Sequence, residues 1–252
     1  MILAAGLGTR LRPLTEQIPK PLLSVGGTPI ILWNLLLLRQ HGIKDVIVNL
    51  HHLGHKIRQE LRDGSQWGMR IQYSAEPVIL GTGGGIKAVE PFFEGKPFLV
   101  MNGDTLIDLD LIELMEKHRA GNFVATMVLR EDPDVERWGV IETSPDHRVL
   151  TILGRGQKAL PSCPSTLRFM FAGVHVIHPR LLRRCPQGQP SSIIDAYVSE
   201  LEHDALIQGF IAKGYWSDIG TEESLAQAHR DVEAGLISLP SEEARERGGC
   251  RN

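Results

Sequence analysis

Near the start of the chain two glycines and three cations fall close together: Gly6, Gly8, Arg10 and Arg12 in Gly6-Leu7-Gly8-Thr9-Arg10-Leu11-Arg12-Pro13, then Lys20 in Pro19-Lys20-Pro21-Leu22. Glycine lets the backbone approach a ligand and turn its amides onto phosphate oxygens. A tight turn between a strand and a helix also uses glycine, but it has no need of arginine. A polyphosphate needs both forked guanidinium donors and a point charge near the transferring phosphorus. The cluster therefore points to a phosphate-rich ligand. No G-x-x-x-x-G-K-[ST] run is present, which argues against a P-loop ATPase.

Two other groups of residues invite chemistry. Gly83, Gly85 and Ala88 fit G-x-G-x-x-A, with Asp104 further on at the end of a predicted strand, so a dinucleotide-binding oxidoreductase is a rival reading. That fingerprint should open directly at a strand end, whereas Glu76-Pro77 and several more residues intervene here. It also leaves Arg10, Lys20 and Asp218 without a task. His51, His52 and His55 have metal-ligating side chains but no adjacent acid or cysteine, and a solvated loop is the expectation. Trp33 and its neighbouring leucines read as the core face of a helix.

These residues need elements to hold them. Met1–Ala5 reads as a buried strand running straight into the glycine loop, with Thr28 as N-cap and Pro29 opening a helix over Ile30–Gln40. Strands are expected at Lys44–Leu50, Arg70–Ser74 and Pro97–Met101, with helices at Gly54–Leu61 and from Gly83-Gly84-Gly85. This alternation predicts an α/β fold, a Rossmann-like single domain with a mixed, mainly parallel central sheet covered by helices on both faces. The second half is less regular, and some of its strands, at Val124–Leu129, Gly139–Glu142, Arg148–Leu153 and Leu167–Ile177, should be antiparallel. A helix over Ser192–Glu202 and a strand over Ala205–Ala212 follow. Tyr215–Thr221 is expected to be a turn, with Thr221 capping a last helix that carries Glu222 and Glu223 in its first turn. One catalytic domain over residues 1–235 is expected, and a poorly ordered tail over 236–252.

Composition narrows the class. The chain has 252 residues, 42% hydrophobic and 23% charged, with a formal charge of -3, so nothing global points to nucleic acid and any phosphate site must be local. Cys163, Cys185 and Cys250 are odd in number and far apart, suggesting neither a disulfide framework nor zinc and fitting a reducing cytoplasm. No signal peptide or membrane span is expected. Because the first strand begins at Met1 itself, the true start is expected a few residues upstream.

The motifs taken together resemble a known family. Leu3-Ala4-Ala5-Gly6-Leu7-Gly8-Thr9-Arg10-Leu11-Arg12-Pro13-Leu14-Thr15 with Pro19-Lys20-Pro21-Leu22 is similar to the signature of sugar-phosphate nucleotidyltransferases. The resemblance continues through Leu80-Gly81-Thr82-Gly83-Gly84, Asn102-Gly103-Asp104, Gly139-Val140, Ala172-Gly173 and Trp216-Ser217-Asp218-Ile219-Gly220-Thr221. The nearest groups are the mannose-1-phosphate guanylyltransferase-like and N-acetylmuramate-1-phosphate uridylyltransferase-like enzymes.

The resemblance implies a reaction and its residues. A nucleoside triphosphate, GTP or UTP favoured, would condense with a sugar 1-phosphate to give a nucleotide sugar and pyrophosphate. Arg10 would hold the departing phosphates, Lys20 would neutralise charge near the α-phosphate, and Asp104 and Asp218 would bind Mg2+, Asp104 thereby counting as catalytic. Ala4, Gly6, Gly8, Thr9, Glu76, Gly81 and Thr82 would line the nucleotide, and Gly139, Gly173 and Asp195 the sugar. The chain departs from the family where a Glu-Lys-Pro segment is common: here it reads Leu153-Gly154-Arg155-Gly156-Gln157-Lys158, making Arg155 or Lys158 the substitute for the lysine on the sugar phosphate. Phe171 likewise stands where an asparagine is usual. A non-catalytic nucleotide-sugar-binding subunit is the alternative on the same fold, disfavoured because Arg10, Lys20, Asp104 and Asp218 are all present.

Overall fold

The computed structural model describes residues 1–157 and 165–240; Lys158, Cys163, Cys250 and the tail beyond 240 lie outside them. The α/β class expected from the sequence is what the structure has, with helices packed on mixed sheet. The described residues form two compact units.

The first unit comprises Ile2–Pro77, Asn102–Leu111 and the described residues from Gly214 on. Three parallel strands, Ile2–Leu3, Asp45–Leu50 and Arg70–Ala75, form its sheet, with Ile2 opposite Val48 and Val48 opposite Tyr73. The central strand is buried from Val46 to Leu50, as the near-continuous apolar run of a two-sided parallel strand requires. Asn49 is the one polar residue in that buried run. The helix Ile30–Gln40 packs Ile30 and Trp33 against Leu11, Leu106, Ile219 and Ala228, which lie far apart in sequence. Ile237 joins this core, so the start of the tail, expected to fray, packs here.

Two local expectations are corrected. The cap of the Ile30–Gln40 helix is Pro29 without a side-chain bond, because Thr28 and Pro29 pair as strand with Val25 and Ser24. The segment Tyr215–Thr221, expected to be a turn, contains a strand, Trp216–Asp218, paired antiparallel with Thr105–Ile107. Thr221 does cap the final helix, Glu222–Glu233, accepting from the Ser224 amide in a reciprocal capping box.

The second unit comprises Met1, Val78–Met101 and Ile112–Lys213. Its spine is the long strand Leu167–Ile177, antiparallel to Phe98–Met101 on one side and to Ala125–Arg130 on the other, while its first residues pair with Ile141–Thr143. Ile207–Ile211 runs parallel to Ala125–Arg130 at the far side. The antiparallel character expected of this half is thus present. The register shifts between Phe171 and His175, and Gly173 takes the left-handed φ of 77° within the shift.

Two buried histidines of this unit have lowered pKa values. Burial lowers the His175 pKa to about 3, leaving a neutral ring whose Nδ1 is hydrogen-bonded with the Tyr197 hydroxyl at 2.6 Å. His118 is lowered to about 4, by burial first and then by His178, Arg180 and Arg119 nearby. A histidine with a depressed folded pKa costs stability once the unfolded chain takes up its proton, below about pH 6.5, and the loss grows until the folded pKa is passed. Denaturant melts between pH 7 and pH 4.5 should therefore show stability falling with pH, by up to about 1.4 kcal/mol per pH unit for each histidine. The His175→Gln variant should show a shallower fall; an identical slope would contradict the assignment.

Candidate active site

Asp104 and Asp218 are far apart in sequence and adjacent in space. Asp104 sits in the turn between Phe98–Asn102 and Thr105–Ile107, and Asp218 ends the strand Trp216–Asp218. That strand pairs Asp218 with Thr105, and the Ile219 amide donates to the Asp104 carbonyl at 3.1 Å. Lys20 enters from a short 3-10 turn, Lys20–Leu22, opened by extended Pro19. Its ammonium lies 2.5 Å from Asp104 Oδ2 and 3.7 Å from Asp218 Oδ1, so both carboxylates are within reach of one cation. Arg10 Nη2 is 3.7 Å from Asp218 Oδ2, on a side chain 64% exposed. A Cβ at Gly220 would lie 2.8 Å from both Arg10 Nη2 and Asp218 Oδ2, so a side chain there would displace the ends of this pair.

The electrostatics follow from that crowding. Burial, then the neighbouring Asp104 charge, raises the Asp218 pKa, while Lys20 and Arg10 act in the opposite direction. No set of three or more histidine, cysteine, aspartate or glutamate side chains poised for a metal occurs among the described residues. Magnesium does not require one, since it is commonly held by one or two carboxylates with substrate phosphates and water. The donor set of Asp104 and Asp218 fits that pattern, and the Lys20 ammonium already places a positive charge on it.

The glycine loop lies on the same unit. A Cβ at Gly6 would meet nothing within 4 Å, leaving open space over the loop. Gly8 has φ 64°, and a Cβ there would come within 2.9 Å of Thr15 Cγ2, so its conformation and its packing both require glycine. The Ala4 amide donates to Asn49 Oδ1 at 2.7 Å, and Asn49 Nδ2 donates to Glu76 Oε1 at 2.8 Å. Glu76, expected to face the nucleotide, is 4% exposed and gives one carboxylate oxygen to this internal link. Asn49 was not singled out from sequence; its signal is a lone amide in an apolar parallel strand.

Two of the clustered histidines are tied to backbone carbonyls, so the segment is more than a solvated loop. His51 Nδ1 bonds the Glu76 carbonyl at 2.7 Å and His52 Nε2 the Thr15 carbonyl at 2.8 Å.

The remaining expected site residues belong to the other unit. Gly81 has φ 67°, and a Cβ on it would lie 2.6 Å from the Ser191 carbonyl; at Gly84 it would lie 2.5 Å from that of Gln189. Thr82 Oγ1 accepts from the Ile193 amide at 2.9 Å. These glycines thus serve close packing at the start of the Ile193–Leu201 helix. Their own helix, Gly81–Ala88, begins ahead of Gly83, so the dinucleotide fingerprint lacks its strand-end context. Gly139 has φ 90°, and Asp195 holds the Arg155 guanidinium at 2.9 Å.

The family profile for nucleotidyl transferases matches residues 1–235, across both units. The chain belongs to the nucleotidyl transferase family. Among its relatives, the N-acetylmuramate α-1-phosphate uridylyltransferase of Neisseria meningitidis is 35% identical over 90% of this chain and 95% of its own. The UTP–glucose-1-phosphate uridylyltransferase of Synechocystis is 34% identical over 97% of this chain, and the mannose-1-phosphate guanylyltransferase of Mycobacterium tuberculosis 32% over 96%. This chain spans only 66% of the length of each of those two. The fold is shared with a crystal structure of a glucose-1-phosphate thymidylyltransferase candidate from Bacillus anthracis, at TM-score 0.80, 23% identity and 96% coverage of both chains.

The charge cluster makes a direct prediction. Removing the like charge in Asp104→Asn should move the Asp218 carboxyl titration to lower pH, and removing the ammonium in Lys20→Met should move it to higher pH. Carboxyl-carbon NMR titrations measure both shifts; the reverse order would contradict the described contacts.

Proposed function

We propose that this chain is a sugar-1-phosphate nucleotidyltransferase, joining a nucleoside triphosphate to a sugar 1-phosphate and releasing pyrophosphate. The observation that carries the reading is the meeting of Asp104, Asp218, Lys20 and Arg10 in one unit, with Arg10 extending from the glycine loop. The names of the relatives support the reaction class, and both guanylyl and uridylyl transfer occur among them.

In this reading the exposed Arg10 guanidinium takes the β- and γ-phosphates, and the amides around Gly6, Gly8 and Thr9 take phosphate oxygens. A sugar-phosphate oxygen attacks the α-phosphorus in line, and the bond from that phosphorus to the bridging oxygen of pyrophosphate breaks. The attacking oxygen is already ionised near neutral pH, so the chain needs no general base. Asp104 and Asp218 would hold Mg2+, which supplies charge neutralisation between the two phosphates when bound. Lys20, now paired with Asp104, would neutralise charge near the α-phosphate. GTP is the first expectation for the base, UTP the second. Cytoplasmic placement is the reading the chain's few, scattered cysteines favour; among the described residues no helix is long and apolar enough to cross a membrane.

The test is pyrophosphate release from a panel of triphosphates with hexose, aminosugar and heptose 1-phosphates. One pair should turn over, EDTA should abolish it, and Arg10→Ala, Asp104→Asn and Asp218→Asn should each lower kcat by about a hundredfold or more. Because Arg10 is exposed, Arg10→Ala should melt as the wild type does. No release with any pair would refute the proposal.

A further inference from the structure

The Gly8 carbonyl is gripped from inside the protein. It accepts from the Leu11 amide at 3.0 Å and from the Thr15 hydroxyl at 2.8 Å, both donors on fully buried residues. In a trans peptide the C=O and the following N–H point in opposite directions. Pulling the Gly8 oxygen inward therefore aims the Thr9 amide outward, on a loop whose residues from Thr9 to Arg10 are exposed.

Thr15 is itself fixed. It belongs to the one-turn helix Leu14–Gln17, whose position is held from the start of the Gly54–Leu61 helix. His52 Nε2 donates to the Thr15 carbonyl at 2.8 Å, and Lys56 Nζ donates to the Gln17 carbonyl at 2.5 Å. Between these two donors Leu53 takes a left-handed φ of 50°, the corner at which His51 bonds Glu76 on one side and His52 bonds Thr15 on the other. None of these bonds is needed to build the parallel sheet, which is paired through its own backbone.

We infer that Thr15 and His52 are positioning residues for triphosphate binding. His52 fixes Thr15, the Thr15 hydroxyl fixes the Gly8 carbonyl, and the Thr9 amide is thereby preset to donate to a phosphate oxygen. The inference rests on the reading of the glycine loop as the triphosphate site. Losing the hydroxyl leaves the Gly8 carbonyl held by the Leu11 amide alone, so the peptide is less firmly preset and part of its ordering falls to ligand binding.

Isothermal titration with GTP and UTP in the presence of magnesium tests the relay on the full chain. Thr15→Val should weaken binding of the preferred triphosphate by about tenfold, the order expected for one lost buried hydrogen bond. Thr15→Ser should restore it to within about twofold of wild type on the same scale. His52→Ala should weaken it and His52→Gln, which keeps a donor, should recover most of the loss. In turnover assays the KM for the triphosphate should rise while that for the sugar 1-phosphate stays put. If the wild-type chain binds no triphosphate, the reading of the loop fails and takes the relay with it. If the wild type binds and Thr15→Val melts and binds as it does, the relay is wrong and the loop reading stands. Should Thr15→Val not fold, the half-buried His52 pair decides: equal binding by His52→Ala and His52→Gln overturns the inference.

Discussion

The antiparallel pairing of Trp216–Asp218 with Thr105–Ile107 is the constraint on which the candidate site depends. It sets Asp218 opposite Thr105 and ties Ile219 to the Asp104 carbonyl, so two carboxylates distant in sequence share one ammonium. The same ladder carries Leu106 and Ile219 into the apolar cluster with Trp33 and Ile30, so the packing that stabilises the unit also fixes the spacing of the acids. A shift of one residue in this register would turn one of the two away.

Burial first, and the neighbouring Asp104 charge second, raise the Asp218 pKa, so the pair is unfavourable without a cation. Lys20, with its side chain 10% exposed, offsets it directly, and Arg10 does so from the solvent side. The site is therefore balanced by side chains that a polyphosphate would also attract. In the proposed reaction, arriving substrate and metal would exchange one set of ion pairs for another instead of creating charge interactions where none existed. Sequence reasoning had Lys20 facing phosphate alone; its structural partner is Asp104, so its loss bears on stability as well as on binding.

Much of this was legible in the sequence. The strand Leu167–Ile177, the helix Gly54–Leu61 and the Thr221 cap stand where periodicity and capping rules put them, because local pattern and tertiary demand agree there. The strand inside Tyr215–Thr221 was missed because it is three residues long and made only by a distant partner. Gly81 and Thr82 read in sequence, by resemblance, as nucleotide contacts; what the sequence did not reveal is that the backbone of Ser191 closes on Gly81 and that of Gln189 on Gly84. A glycine signals close approach without saying what approaches. Asn49 and His52 act by single bonds to backbone or to another side chain, which spacing alone does not reveal.

The account's central claim is that Asp104 and Asp218 form one divalent-cation site on which the Lys20 ammonium stands until a metal takes its place. The most direct test is Mn2+ titration followed by electron paramagnetic resonance, without nucleotide, on the wild-type, Lys20→Met and Asp218→Asn chains. The account predicts tighter Mn2+ binding in Lys20→Met than in the wild type, and loss of binding in Asp218→Asn. Binding that Lys20→Met weakens or leaves unchanged, or that survives in Asp218→Asn, would contradict it.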